Sequence, residues 1–165
     1  EETQRSYWLA RLGEFYGADK KAAASILDAS EAAGEVMPLV TRALSNQPWN
    51  IQSHMLGQTM QQTLTTAGRW YAPPGETIAQ FARKETAGKP HEGETPIAAA
   101  TAVRTHGNLA LEHAKKAAPL ATHHKEQFER WMRDIEITRA VGDFYSEKTL
   151  AAIEVHLYFL SLIHI

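Results

Sequence analysis

The sequence predicts an all-α fold, an irregular bundle of five or six helices. Three observations carry the prediction. Alanine is the commonest residue, 26 of 165, and Ala, Glu, Gln, Lys, Leu and Met fill the long segments, residues that lose little on entering a helix. No run of β-branched residues alternates with polar ones, as a half-buried strand would require. Gly, Pro, Asp and Thr stand where helices should start and stop.

The elements follow in order. Segment 4–16 carries Tyr7, Trp8, Leu12, Phe15 and Tyr16, an aromatic helix that Gly17 closes in the left-handed conformation. Asp19 is placed to cap a second helix reaching Leu44, with Ile26, Ala33, Met37 and Val40 on one side. Pro38 should kink or end it near Met37. Residues 45–50 read as a loop. A third helix is expected over 50–66, turning Ile51, Met55, Met60 and Leu64 inward. A loop at 68–75, a short helix near 76–86 and a second loop at 87–94 come next.

Thr95 then serves as N-cap with Pro96 in the first helical position of a helix over 96–118. Ala100, Val103, Gly107, Ala110, Ala114 and Ala117 form a stripe of small residues along it, which lets a neighbouring helix approach closely. Pro119 ends that helix. The last segment, from Thr122 to Phe159, reads as one helix about 57 Å long at 1.5 Å per residue. Its apolar line includes Phe128, Trp131, Ile135, Tyr145, Ala152 and Val155, and Gly142-Asp143 is the natural place for a bend.

Charge and composition narrow the function. Seventeen basic against nineteen acidic side chains leave a net charge of −2, too little positive charge for a protein that holds phosphate backbones, so no nucleic acid partner is expected. With no cysteine there is no disulfide framework, thiolate nucleophile or zinc finger. No apolar run reaches the roughly 20 residues that span a bilayer, and no membrane partner is expected. Phosphate-loop, dinucleotide-binding and nucleophile-elbow motifs are missing, so no cofactor and no catalytic residue is assigned. His106 and His113 lie seven residues apart on one face, about 10 Å, too far to share one ion unaided. No Glu-x-x-His or His-Glu-x-x-His occurs, so no metal is expected either.

Two groups of residues are candidates for ligand contact. Trp49 and Asn50 share one loop, and Trp70 and Tyr71 another beside Arg69; aromatic faces next to amide and guanidinium donors suit stacking on sugar rings, although such rings also plug the ends of bundles. His91 and Glu92, with Glu94, form a polar cluster just before a helix start. It reads either as a ligand-presenting loop or as a capping segment whose acids favour the positive helix end. Asp134 and Glu136 point to different helix faces and make no acid–base pair.

The ends of the chain are read separately. It opens Glu1-Glu2-Thr3 without Met and is already mid-helix in pattern by Tyr7, so it is expected to be a piece of a longer protein. Leu160-Ser161-Leu162-Ile163-His164-Ile165 resembles the translation of CTG-TCT-CTT-ATA-CAC-ATC, a transposase end used in preparing sequencing libraries. Those six residues are therefore set aside from the fold and function, leaving 1–159 as one helical domain.

Four stretches carry a family resemblance: Tyr7 to Gly17, Leu27 to Val40 with Glu35-Val-Met-Pro-Leu-Val40, Lys89-Pro-His-Glu-Gly-Glu-Thr-Pro96, and the closing segment from His124 to Tyr158. Together they resemble the helical region that follows the catalytic barrel in large bacterial glycoside-hydrolase-like proteins related to α-glucuronidases. The resemblance implies an exported, polysaccharide-processing bacterial parent, with the paired carboxylates on its barrel and this chain as a non-catalytic accessory part. Implied partners are the barrel of the same parent chain and a polysaccharide or uronic-acid oligosaccharide. A different reading is a stand-alone helical interaction module whose small-residue face takes a partner helix.

Overall fold

The computed structural model describes residues 2–41, 59–60, 64 and 75–163. Five α-helices run through them: α1 (Glu2–Tyr16), α2 (Lys20–Leu39), α3 (Ile78–Thr86), α4 (Pro96–Ala117) and α5 (Lys125–Ile163), with a 3₁₀ turn at Ala118–Leu120. No strand occurs among the described residues, so the fold is all-α as composition predicts. Trp49, Asn50, Trp70 and Tyr71 lie outside the described residues, as do most of the helix expected over 50–66 and the loops on either side of it.

The chain divides into two compact units. The first combines Glu1–Val36 with Arg104–Val141, and the second Met37–Val103 with Gly142–Ile165.

In the first unit the caps lie where the sequence places them. Gly17 has φ +59° and the Ala18 N–H donates to the Gly13 carbonyl at 3.0 Å, the 6→1 bond of a Schellman ending. Glycine is needed there twice over, since a Cβ would also stand 2.4 Å from Thr122 Oγ1. The Asp19 carboxylate accepts from the Ala22 N–H at 2.7 Å and opens α2.

Among the described residues, two clusters lie in the core of this unit. Tyr16, Ile26, Ala117, Ala121 and Phe128 form one, with Leu12 and Trp131 against it, and the Tyr16 ring meets Phe128 edge-on at 5.4 Å. Ala29, Ala110, Ala114 and Ile135 form the other. α5 begins at Lys125 rather than Thr122. The Thr122 and His123 N–H groups both donate to the Tyr16 carbonyl at 2.9 Å, and His124 sits at φ +50°, so these residues are committed outside the helix.

α2 carries Pro38 in its last turn and ends at Leu39, two residues beyond Met37. Proline removes the N–H that would bond the Gly34 carbonyl, but Gly34 and Pro38 are both exposed, on a side where water can replace it. Val36 and Val40 are fully buried and hold the helix in place around it. A π-type turn follows at Val40–Thr41, where the Thr41 hydroxyl reaches back to the Met37 and Pro38 carbonyls at 2.8 and 2.9 Å.

In the second unit Ile78, Phe81, Ala152 and Ile153 form a core cluster on which Met60 and Leu64 pack, as expected for the inward side of their segment. Thr95 caps α4 through its hydroxyl, which accepts from Ala98 N–H at 3.1 Å, and Pro96 takes the first position. Ser146, fully buried on α5, donates to the Ala100 carbonyl at 2.9 Å and to Gly142 at 2.8 Å. Ser146→Ala is expected to cost about 1 kcal/mol, because the Gly142 carbonyl keeps its place in the helix ladder. Urea titration of the variant checks this.

The small-residue stripe of α4 is buried throughout, from Ala100 to Ala117. Gly107 lies close to Arg139 of α5, and a Cβ there would stand 3.3 Å from the Arg139 Cα. The chain's own helices cover this stripe, so it is not the free face that an interaction module would offer. α5 continues through Gly142-Asp143 as one helix of 39 residues, and no helix among the described residues is long and apolar enough to cross a membrane.

Candidate functional site

The polar cluster expected around His91 exists, but its centre is Glu76. α3 opens with a capping box: the Thr77 hydroxyl accepts from Gln80 N–H at 3.2 Å, and the Gln80 side chain accepts from Thr77 N–H at 2.9 Å. The residue just before the box, Glu76, is 7% exposed. Its backbone N–H donates to the Glu94 carbonyl at 2.9 Å, which ties the start of α3 to the end of the following loop. Gly75 lies so close to Glu94 that a Cβ would fall 1.8 Å from its carbonyl oxygen.

A buried carboxylate needs donors, and Glu76 has three. Oε1 accepts from Lys84 Nζ and from the Glu92 backbone N–H, both at 2.8 Å; Oε2 faces His91 Nδ1 at 2.6 Å. The other ring nitrogen of His91, Nε2, lies 2.9 Å from Glu85 Oε1, and the ring stacks on Phe81 with centroids 4.5 Å apart. Carboxylate oxygens only accept, so both ring nitrogens are satisfied together only in the doubly protonated imidazolium. Phe81, Lys84 and Glu85 come to the same side of α3 by their spacing of three and four.

Burial opposes ionisation of Glu76, but the hydrogen bonds from Lys84, His91 and Glu92 N–H outweigh it and hold the carboxyl down at about 2. The same hydrogen bond raises His91 above its ordinary 6.5, with Glu85 adding to the effect. For Glu76, the folded value is depressed, so its contribution is complete above about 4.5 and disappears as pH falls toward 2. For His91, the folded value is raised, so its contribution is complete below 6.5 and disappears as pH rises through the folded value. The cluster therefore stabilises most between those limits. The melting-temperature difference between wild type and His91→Gln is expected to shrink as pH rises from 6 to 9. A difference that stays constant over that range would contradict the imidazolium.

Chemically this arrangement is a closed latch. It pins the loop 87–95 onto α3 and engages both nitrogens of His91 together with the Lys84 and Glu92 N–H donors around Glu76. Glu92 contributes its backbone N–H; its side chain is 85% exposed and lies 3.6 Å from Lys84 Nζ. Glu92 and Glu94 thus hold the loop through their backbone, by the Glu92 N–H and the Glu94 carbonyl. Glu76, Phe81, Lys84 and Glu85 were not singled out from sequence; the acid immediately before a capping box was the one local signal.

His106 and His113 do not come together on an ion. His113 Nδ1 lies 3.9 Å from Asp28, and no group of three or more His, Asp or Glu with metal-binding geometry occurs among the described residues.

The described residues thus form an all-α structure with the loop 87–95 latched onto α3. Set against known proteins, no family model matches it, and no curated protein matches it either. Among solved structures it is similar to a GH138 glycoside hydrolase, an enzyme targeting the pectin rhamnogalacturonan II, with a TM-score of 0.85 and 27% identity. That likeness covers 96% of this chain and 24% of the enzyme's chain. A glycoside-hydrolase-like relation is supported, and the chain spans about a quarter of the enzyme it resembles.

Proposed function

We propose that this chain is a non-catalytic helical accessory region of a carbohydrate-active enzyme, supporting the catalytic barrel of a longer parent and lining its substrate cleft. The observation that carries the reading is the coverage: nearly the whole chain matches about a quarter of a glycoside hydrolase. The finer relation to α-glucuronidases, and an exported bacterial parent, rest on the sequence stretches around Tyr7, Glu35, His91 and the closing helix. Trp49, Asn50, Trp70 and Tyr71 remain our candidates for the cleft wall, together with His91 and Glu92 of the loop 87–95.

The purified chain is expected to hydrolyse neither aryl glycosides nor uronic-acid oligosaccharides, and measurable turnover that survives repurification would end the accessory reading. Sequencing the parent locus on both sides provides the second test. The reading expects an open frame with barrel-like alternation of strands and helices, and a native codon series in place of that for 160–165.

A further inference from the structure

The exposed side of α1 carries three large aromatic side chains. Tyr7 and Trp8 are 54% and 53% exposed, and Phe15 is 45% exposed, while the neighbouring Tyr16 is buried in the core. Tyr7, Arg11 and Phe15 recur every four residues and form one line along the helix. With Trp8, Leu12, Glu14, Tyr16 and His124 they line a cleft of about 700 Å³, within the size range of small-ligand sites.

Contacts among its lining side chains shape the cleft. Tyr7 and Trp8 meet edge-to-face at 5.4 Å. Phe15 lies parallel to the His124 ring at 4.2 Å, and His124 is held at a positive φ of 50° while its carbonyl accepts from Phe128 N–H at 3.0 Å. A non-glycine residue in that conformation persists only where its surroundings determine it. Arg11 lies over the Tyr7 ring at 5.6 Å and reaches Glu14 at 3.2 Å.

We infer that this cleft binds a neutral pyranose unit of a saccharide chain. Each part matches one feature of such a ring. The apolar C–H face of a pyranose stacks on an exposed aromatic ring. Two vicinal hydroxyls need a donor and an acceptor side by side, which Arg11 and Glu14 supply. Because Glu14 offsets the charge of Arg11, the pair gives no net pull on a uronate, so the neutral sugar is preferred. The inference takes its ligand class from the carbohydrate reading above and adds the site and the kind of sugar.

The test is a heteronuclear NMR titration of the 165-residue chain with galactotetraose as the neutral probe and trigalacturonate as the acidic one. Galactotetraose is expected to shift the resonances of α1 with a millimolar Kd and to bind at least fivefold tighter than trigalacturonate. The Tyr7→Ala/Trp8→Ala double variant is expected to lose about tenfold in affinity. Its melting temperature should change little, since both rings are more than half exposed. No saturable binding by wild type, or tighter binding of trigalacturonate, overturns the inference. Binding that survives the double substitution removes the site while leaving a carbohydrate role intact. A concentration-dependent dimer abolished by the double variant would show that protein covers these rings, and also overturns it. Turnover plays no part in these readouts, so the failure of the accessory reading would be seen separately.

Discussion

Glu76→Gln is expected to destabilise the chain by about 2–3 kcal/mol, a drop of about 4–12 °C in melting temperature for a protein of this size. The substitution keeps the shape of the side chain and removes its charge. Two of the three donors that Glu76 satisfies are cations, Lys84 and His91, and the third is the Glu92 N–H. A glutamine amide has one accepting oxygen, so its NH₂ must face either the Lys84 and Glu92 donors or the His91 ring. Donor then faces donor in the first case, and in the second His91 must give up its Nδ1 proton, and with it the charge that both carboxylates stabilise. The surviving partners are about a quarter exposed, 26% for Lys84 and 25% for His91, and recover some hydration, which keeps the cost at the lower end for a broken buried pair. Glu92→Gln is the matched control, since its carboxylate is almost fully in solvent and should change stability by less than about 0.5 kcal/mol. Chemical denaturation of both variants at pH 6 decides it. Equal effects would mean that Glu76 is no more than a surface charge.

How much of this was legible beforehand depended on how local each signal was. Gly17, Asp19, Thr95 and Pro96 act on the backbone within a turn of themselves, and each stands where the sequence places it. The α4 stripe was legible for a similar reason: six small residues at helical spacing have little use except close approach, and all six are buried. Pro38 acts close to itself: α2 ends at Leu39, one residue beyond it, and a π-type turn follows. Fully buried Val36 and Val40 on either side hold the helix, and the lost bond falls on an exposed turn. The start of α5 was misplaced by three residues because the Tyr16 carbonyl, more than a hundred positions away, claims the N–H groups of Thr122 and His123.

The site was half legible. His91 could be marked as a polar residue in a loop, but its partners are 6 and 15 positions away, and nothing in a sequence says that an acid before a helix will be buried. Glu76 is buried where Gly75 lies against Glu94, an arrangement that belongs to the closed loop and not to either segment. The aromatic side chains of α1 show the opposite case. Their abundance was plain, and only the structure sorts Tyr16 into the core and leaves Tyr7, Trp8 and Phe15 outside.

The glycines of α2 and α4 give the other large effect, and it comes as a contrast. Gly107→Leu is expected to cost about 3 kcal/mol, because the first added carbon already stands 3.3 Å from the Arg139 Cα and 3.4 Å from its Cγ. The remaining three carbons of leucine have no space unless α5 moves, and α5 is held nearby by Ile135 in the core and by the Arg139 Nε–Asn108 bond at 2.7 Å. Gly34→Ala in α2 meets nothing within 4 Å and lies on an exposed helical position, so it should stabilise by about 0.5–1 kcal/mol through the unfolded chain and helix propensity alone. Gly107→Ala falls between the two: its propensity gain of about 1 kcal/mol is offset by the tight contact, and the net change should be near zero. Denaturant midpoints for the three variants should therefore rank Gly34→Ala above wild type and Gly107→Ala, with Gly107→Leu far below. If Gly107→Leu instead behaves like Gly34→Ala, α4 and α5 do not approach closely at this point, and the small-residue stripe has some other purpose.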